Sequence, residues 1–518
     1  MTVEIKNTGG IILIMKKLLA LFSVSLFVFG LAACGGSELD DGIFDDPDID
    51  YSEETLTVWS FTDELQAEGD LEYFEQNYTG EGQKYEGMEI EYVEIPTEDY
   101  LTTILPTLRT GSGAPDVFTG ELDMLLNFME GGYLANLEAM MDNDDDVDFD
   151  AMEDDFVDYI WEAGIDPYDD HLRALSWQVT PGGIFFKTDM AEAVWGDEAG
   201  FPDEEHEDNY NLAVSDWMSE EKFHSLQALI DSSEEVKAYN ENWRLFPNDD
   251  AIRFFSQETN DVESWLAEDE LINADRILAE EVYMDAVADL YGESLEDSLT
   301  ANVDEWSGEW FQGMGKDFTA ADGTTYQTMA YSLPTWGLFH VLDGSVERVD
   351  SDGNTCDPDG DDYSECEYKG NWGMASGPNS YFYGGTYLSI YQGSDVKEPA
   401  YDFVKSMLFD DERMIERAEN GDVYARASIM EEVTADYEGN PMLGGINHYD
   451  IFLEEANLIS LDHITNYDRT LDEIMGDTVN DYKQGNFDSK EEAFASFYQE
   501  LQSAHPELYR PDGLPYQD

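Results

Sequence analysis

The chain has 518 residues, with 118 Asp and Glu against 24 Lys and Arg and a formal net charge of -94. So few cations among so many acids exclude charge-driven binding to bare nucleic acid or to an anionic lipid surface. An aromatic content of 13% excludes an acidic disordered chain, because it supplies enough apolar surface to bury a core.

The N-terminal segment is typical of an exported protein. Two lysines precede an apolar run, residues 18–31, and a pair of alanines then leads to Cys34. This order predicts a secretion signal over residues 1–33, with Met15 as the expected start. The stretch Leu-Ala-Ala-Cys also resembles the bacterial lipobox, which predicts that Cys34 is acylated. We therefore expect a protein that is lipid-anchored through Cys34 on the extracellular face of the plasma membrane.

Residues 34–54 are acidic, contain Gly and Pro, and show no apolar periodicity. Like charges along such a segment repel one another and extend it. We interpret this segment as a flexible tether between the membrane and a folded body that begins at residue 55.

Strand and helix patterns alternate from residue 55 onward. The β-rich stretches TLTVWSF (55–61) and MEIEYVEI (88–95) flank a helical pattern, and a helix capped by Thr97 leads to DVFT (116–119). This alternation predicts an α/β fold with a mostly parallel sheet. Ligands of such sheets bind at the carboxyl ends of the strands.

The stretch RALSWQVTPGGIFF (173–186) is extended and is broken in its middle by Pro-Gly-Gly, which indicates a crossing between two lobes. Residues 190–320 are largely helical, and 329–342 and 371–391 return to extended patterns. Two later helices are predicted to begin with Asp395 and Asp488 at their N-terminal caps.

The order of these segments resembles the extracellular solute-binding proteins of bacterial ABC importers, family 1, whose ligands are mostly carbohydrates. The resemblance covers about residues 55–510. The stretches on which the resemblance rests are LTVWSF (56–61), APDV (114–117), GGYLANL (131–137), ALSWQVTPGGIFFKTDM (174–190), NWGMASGP (371–378) and YFYGGTYLSI (381–390).

The resemblance implies a two-lobed periplasmic-binding-protein-like fold of type II, with a ligand cleft between lobes joined by hinge crossings. We assign residues 55–176 and 386–448 to lobe 1 and residues 177–385 and 449–518 to lobe 2. The resemblance also implies delivery of ligand to an ABC permease in the membrane, and we expect a monomer.

A sugar site needs aromatic platforms and a few polar groups inside a cleft. Trp59, Phe61 and Asp63 lie where the first strand leads into its helix, and we expect them to face the cleft. Glu121 follows the third strand, where a carboxylate could accept hydrogen bonds from sugar hydroxyls. The alternative for Trp59 is a place in the core, and for Glu121 a favourable position at a helix start.

Further candidates lie at the crossings and in the second lobe. The ligand-binding candidates there are Trp177, Gln178, Trp336, Trp372 and Tyr381. Each aromatic ring has core packing as its alternative, because Trp is highly buried on average. Gly182, Gly183, Gly384 and Gly385 are interpreted as hinge positions, with a strand bulge as the alternative.

Cys356 and Cys366 are ten positions apart in a chain expected to be exported, which predicts a disulfide. Acidic side chains around this loop could bind calcium, although no EF-hand spacing is present. They are Asp350, Asp352, Asp357, Asp359 and Asp361. Residues 142–148 are a second acidic run. We expect no catalytic residue, no metal site and no cofactor, with structural calcium kept as an alternative.

Three functions stay open at this stage. The first is a lipid-anchored, carbohydrate-binding component of an ABC importer. The second is the same fold with a peptide or polyamine as ligand, and the third is a surface carbohydrate-active enzyme. Paired carboxylates cannot identify an enzyme here, because any two of 118 acids could be nominated.

The excess of acid suggests adaptation to a saline habitat, since self-repulsion destabilises a compact body at low ionic strength. At about 1 M salt the screening length is about 3 Å. We therefore expect the free energy of unfolding to rise between low-salt buffer and molar NaCl. Unfolding that is indifferent to salt would contradict this hypothesis and favour a cationic ligand or calcium as the counter-charge.

Overall fold

The computed structural model describes residues 49–518 with short gaps. The gaps are 204–208, 249–252, 255–263, 268–270, 293–296, 322, 357–365, 419–420, 462–463, 466, 509, 511–513 and 517–518. The predicted signal segment, Cys34, most of the tether and Asp357, Asp359 and Asp361 lie outside the described residues. Within the described part, no helix has the length and apolar character that a membrane crossing needs.

Strands and helices alternate along the described chain. The strands are β1 Thr55–Ser60, β2 Glu89–Glu94, β3 Val117–Gly120, β4 Ala174–Ser176, β5 Gly182–Lys187, β6 Trp243–Arg244, β7 Leu266–Ala267, β8 Leu271–Ile272, β9 Phe318–Thr319, β10 Thr325–Thr328, β11 Ala330–Pro334, β12 Arg348–Val349, β13 Glu367–Tyr368, β14 Trp372–Ala375 and β15 Tyr387–Ile390.

The α-helices are α1 Glu64–Ala67, α2 Asp70–Phe74, α3 Thr97–Thr110, α4 Leu122–Glu130, α5 Leu137–Asp142, α6 Phe149–Asp155, α7 Asp158–Gly164, α8 Thr188–Trp195, α9 Tyr210–Trp217, α10 Leu226–Tyr239, α11 Ala274–Tyr291, α12 Gly308–Gly315, α13 Lys397–Leu408, α14 Asp411–Ala418, α15 Ala427–Thr434, α16 His448–Ala456, α17 Asp468–Lys483 and α18 Lys490–Ala504.

A five-stranded sheet in the order β2-β1-β3-β15-β4 forms the centre of the first lobe. Residues alternate in β1, where Leu56, Val58 and Ser60 are buried, as expected for a strand with a covered face. Strand β1 pairs in parallel with β2 and β3, but β15 runs antiparallel to β3 and β4. The sheet is therefore mixed, because β15 enters it from the second lobe and not through a local helical crossover.

The second lobe is centred on an antiparallel sheet in the order β11-β5-β14. Its residues are buried along the whole length of β11 and β14, and in β5 as far as Phe186. Helices α8, α9 and α10 cover this sheet through a core that includes Trp195 and Phe223. A separate apolar core around Trp265 joins α11 to α17 and α18.

Two segments connect the sheets. Residues 177–181 lead from β4 to β5, and residues 376–386 lead from β14 back to β15. The segments are tied together where Thr180 Oγ1 donates to the Gly384 carbonyl oxygen at 3.1 Å. A third segment lies beside the first, since the backbone N–H groups of Val179 and Ala425 bond the carbonyls of Val423 and Trp177.

The predicted hinge glycines separate into two groups. Gly384 and Gly385 lie in a connecting segment with φ of 73° and 104°, a conformation that glycine adopts without strain. Gly182 and Gly183 instead lie inside β5, paired with β11. They are sheet residues whose lack of a side chain allows close packing, and their role as hinge positions stays a prediction.

Several boundaries differ from the sequence-based predictions by one or two residues. Helix α3 begins at Thr97 itself, after Pro96, and α18 is capped by Ser489, whose side chain accepts from Glu492 N–H. Helix α13 begins after Val396 without a side-chain cap. Asp395 and Asp488 are therefore not the N-cap residues, because the next residue occupies the N-cap position in each case.

The body begins before residue 55. Tyr51 lies in a short 3-10 turn, stacks edge-on against Tyr85 with ring centroids 4.9 Å apart, and donates its hydroxyl to Glu398 Oε2 at 3.0 Å. The last residues of the predicted tether are thus part of the folded lobe, because the Tyr51 ring packs against Tyr85.

The close packing of Gly182 gives a test of the fold. A Cβ at Gly182 would lie 1.8 Å from Tyr381 Cζ, whereas one at Gly183 would first meet the flexible end of Met374, at 2.9 Å. We expect Gly182→Ala to lower the free energy of unfolding by about 3 kcal/mol and Gly183→Ala by about 1 kcal/mol or less. Chemical denaturation of both variants measures the difference, and equal losses would contradict this packing.

Candidate functional site

The candidate site lies where the loop after β3 meets the second connecting segment and the chain around α17. A cavity of about 320 Å³ is found here. Residues of the first lobe, of the connecting segment and of the chain around α17 line it. They are Glu121, Leu122, Asp123, Phe382, Tyr383, Gly384, Ile464, Thr465, Asp468, Arg469, Asp472 and Glu473.

Three predicted residues meet at Gly384, which lines this cavity together with Glu121. An added Cβ on Gly384 would lie 3.5 Å from Glu121 Oε1 and 3.6 Å from Trp336 Nε1. The indole N–H of Trp336 donates to the Tyr383 carbonyl oxygen at 3.1 Å. Glycine at position 384 therefore lets a carboxylate of one lobe and an indole of the other approach the same stretch of backbone.

An aromatic cluster extends from this point. The ring of Trp336 lies 5.2 Å from that of Tyr383 and stacks on Trp306 at 5.7 Å, with an interplanar angle of 19°. Trp306 is 51% exposed and has a φ of 63°. A left-handed backbone costs a non-glycine residue about 1–2 kcal/mol, and such strain is concentrated at functional sites.

Two polar groups frame the cavity on the side of α4. Arg469 Nη1 lies 2.5 Å from Asp123 Oδ2, and this ion pair joins α17 to the first lobe. Burial raises the pKa of Asp123, and the guanidinium of Arg469 opposes the shift. The second carboxylate oxygen, Asp123 Oδ1, is buried. Hydrogen bonds from the backbone N–H groups of Asp123 and Met124 also oppose the rise in the pKa of this carboxyl group.

Glu64 is a site residue that the sequence did not single out. Its carboxylate accepts hydrogen bonds from Gln178 Nε2 at 3.3 Å and from Thr386 Oγ1 at 3.1 Å, so it joins β1's loop to both connecting segments. Burial raises the pKa of Glu64 to about 7, and Arg417 opposes the shift. The predicted Gln178 is thereby placed at the junction, whereas the predicted Asp63 is exposed beside it.

The predicted aromatic residues Trp59, Phe61 and Trp177 contribute mainly to packing. Phe61 is buried and lies edge-on to Tyr100 at 5.8 Å. Trp59 is half-buried within β1, and its carbonyl accepts from the Tyr100 hydroxyl at 3.4 Å. Trp177 has no exposed surface; Arg417 lies over its ring at 5.3 Å, and its indole N–H is unpartnered within the described structure.

Tyr381 and Trp372 are not brought to the cleft. Tyr381 is fully buried between Gly182 and Phe254, and its hydroxyl bonds Ser332 Oγ at 2.8 Å. Trp372 pairs with Lys187 at the end of β5 farthest from the connecting segment, about 17 Å away at about 3.4 Å per residue. Both were candidates as aromatic platforms of the second lobe, with core packing as the alternative, and both rings are buried.

Two site aromatics were missed, and each for a different reason. Tyr383 directly precedes Gly384 in the segment YFYGG, so adjacency could have identified it. Trp306 follows the long helical stretch that lies outside the family motifs. No sequence pattern marks it, and only the fold places it against Trp336. Arg253, whose guanidinium lies 3.7 Å from the Tyr383 ring centroid, was likewise invisible to sequence analysis.

The predicted disulfide joins Cys356 to Cys366 at an Sγ–Sγ distance of 2.03 Å. Asp350, one of the candidate calcium ligands, accepts from the backbone N–H groups of Asp352 and Asn354 and organises a turn. Among the residues that the structure describes, no group of three or more His, Cys, Asp or Glu is arranged to hold a metal ion.

The fold is that of two-lobed solute-binding proteins. A protein associated with an ABC transporter of B. animalis subsp. lactis, solved with β-1,6-galactobiose, superposes with a TM-score of 0.60 at 17% identity, covering 88% of this chain and 98% of that one. The GacH receptor of Streptomyces glaucescens, solved with acarbose, gives 0.57 at 17% identity, with 88% and 99% covered. The sugar-binding protein MalE of Xanthomonas citri gives 0.54 at 15%, with 88% and 97% covered.

A family model described as bacterial extracellular solute-binding protein matches residues 74–442. The chain belongs to this family, which confirms the resemblance seen in the sequence. No curated protein matches the sequence of this chain.

The raised pKa of Glu64 predicts a pH dependence. The folded state holds a proton up to about pH 7 that the unfolded state releases near its ordinary pKa of 4.5. Stability is therefore lost as the pH rises from about 4.5 to 7 and is constant above that range. A shift of this size corresponds to at most about 3 kcal/mol.

We expect Glu64→Gln, which keeps the shape of the side chain, to flatten this decline and to be more stable than the wild type at pH 8. Urea unfolding at pH 5 and pH 8 measures the difference. Asp422, with a pKa raised to about 6 by burial, titrates in both proteins and serves as the common background. Parallel pH profiles of the two proteins would contradict the assignment.

Proposed function

We propose that the chain is a lipid-anchored extracellular solute-binding protein that delivers a mono- or oligosaccharide to an ABC importer. Membership of the solute-binding family supports the binding role. The N-terminal signal and Cys34 support export and anchoring, and the permease would be a separate membrane protein. The chain would act as a monomer whose lobes close on the ligand.

The carbohydrate assignment rests on the aromatic cluster of Trp306, Trp336 and Tyr383, which lies beside two carboxylates. Sugars present a C–H face that stacks on aromatic rings and hydroxyl edges that donate to carboxylate oxygens. Trp306, which is half exposed, and Trp336, which is partly buried, provide ring surface beside Gly384, and the carboxylates of Glu121 and Asp123 line the adjacent cavity. Structures of the same fold with β-1,6-galactobiose and acarbose agree with such a ligand.

The charge of the cavity favours a second candidate, a polyamine or a cationic peptide. Five carboxylates line it, on Glu121, Asp123, Asp468, Asp472 and Glu473, against the single guanidinium of Arg469. Burial raises the pKa of Asp468 to about 6 and also raises that of Asp472, which lowers the charge they present near neutral pH. The family consists of binding proteins, so we propose no catalytic role for these acids.

Ligand binding tests the site directly. Calorimetry with a panel of mono- and oligosaccharides, and with spermidine, should show saturable binding of a sugar without turnover. Trp306→Ala and Trp336→Ala should each weaken that binding about tenfold or more, equivalent to about 1.4 kcal/mol, because each removes a stacking surface.

Tyr239→Ala is the matched control, since Tyr239 is 54% exposed and its ring lies 5.2 Å from that of Trp243, away from the cavity. Its affinity for sugar should equal that of the wild type. Binding of spermidine alone would support the polyamine candidate, and release of a cleaved product would support an enzyme. Sugar binding that is indifferent to both tryptophan variants would place the site elsewhere.

A further inference from the structure

A second cavity, of about 670 Å³, lies in the second lobe at the far end of β5 from the connecting segment. Its walls are the end of β5, the start of β14, the last turns of α12 and the loop before β12. This volume is in the range of small-molecule sites. The cavity shares no lining residue with the cavity between the lobes.

The cavity concentrates the chain's scarce cations. Four of the 24 Lys and Arg residues line it, namely Lys187, Lys316, Arg348 and Lys369, against the three acids Asp189, Asp317 and Glu347. The lining thus carries a formal charge of +1 in a chain whose net charge is -94. Such a local reversal attracts anions that the rest of the surface repels.

Lys187 is a largely buried cation without an ion pair. Its Nζ donates to the carbonyls of Gly313 at 2.7 Å and Thr328 at 2.9 Å, and lies 5.6 Å from the ring centroid of Trp372. No carboxylate of the described residues lies within ion-pair distance of this ammonium group. A lysine has three N–H donors, so one is left over beside the cavity.

Burial of an unpaired charge is unfavourable, and it lowers the pKa of Lys187 to about 8. The chain has 118 acids that could have neutralised this lysine, yet backbone carbonyls and an aromatic face surround it. Lys316, at the rim, is exposed and also lacks an ion pair with any described residue. Two ammonium groups with free hydrogen-bonding capacity therefore face one cavity.

Part of the remaining wall is apolar, and the rest is formed by uncharged polar residues, namely Gln312, Gln327, Ser345, Thr355 and Asn371. Trp372 is 2% exposed and forms part of the floor, and Phe311, Met190 and Met314 contribute further apolar surface. A ligand that fits this cavity has an anionic end that bonds the two lysines and an apolar body that packs against the aromatic rings.

We propose that this cavity is a second ligand site, distinct from the cleft between the lobes, that binds a small carboxylate with an apolar body. The carboxylate bonds Lys187 and Lys316, and the apolar part lies against Phe311 and Trp372. Occupation stabilises the second lobe by mass action, whatever the cleft contains.

The experiment uses the full chain and 4-(trifluoromethyl)benzoate as the probe, observed by ¹⁹F NMR in about 0.5 M NaCl to screen the net charge. The uncharged isostere 4-(trifluoromethyl)benzamide is the matched ligand control. We expect the benzoate to bind about tenfold more tightly than the benzamide. Equal binding of the two probes, or no benzoate binding up to about 10 mM, would overturn the proposal.

Lys187→Met and Lys316→Met should each weaken benzoate binding about fivefold or more. Lys316 is exposed and holds no other element, so its variant stays informative even if Lys187→Met fails to fold. Lys397→Met, with the same charge change on the first lobe, and Trp336→Ala in the cleft should leave benzoate binding unchanged. Equal losses in all four variants, or none in the two cavity variants, would refute the assignment.

Discussion

The rest of the structure depends on two chain segments that must run side by side between two separate sheets. The hydrogen bond from Thr180 to the Gly384 carbonyl joins these two segments. Each sheet is completed by strands on both sides of these segments, so neither lobe can form its core without them. Gly384 and Gly385 supply the left-handed backbone that the second segment needs. Because position 384 carries no side chain, Glu121 and Trp336 meet there, and the same constraint that joins the lobes also builds the site.

The distribution of the few cations explains how so acidic a chain folds. Asp70 is buried and held by Arg413 and Arg417, and Arg276 is buried against Glu280 and Asp472. A buried charge without a partner is strongly destabilising, so arginines are found where acids enter the interior. Most other acids remain in water, where salt screens them. Lys187 departs from this pattern, since it is largely buried beside carbonyls and an indole instead of a carboxylate.

Local patterns predicted much of the fold. The strands around residues 55–60 and 89–94 and the connecting segment after Ser176 were expected, because alternation, β-branched residues and Gly or Pro act over a few neighbouring residues. Helix caps were missed by one position: Ser489 caps α18 in place of Asp488, and α13 begins after Val396 without a side-chain cap. The mixed character of the first sheet was also missed, because β15 is more than two hundred positions from β4 and the pairing of strands so far apart leaves no local signal.

Motif order and residue chemistry are properties of the linear chain, so the sequence alone identified the family and the disulfide pair. It also predicted an export signal and named Glu121, Trp336 and Gly384 as candidate site residues. Which aromatic rings lie near the cavity depends on packing in three dimensions. Trp177 and Tyr381 are in the core, and Trp372 is at the far end of its sheet. Trp306 stacks on Trp336 and Glu64 bonds Thr386, although no motif predicted either contact. The reason is physical: an indole in the core and an indole in a binding site both avoid water, and only the packing around the ring decides which of its faces stays open.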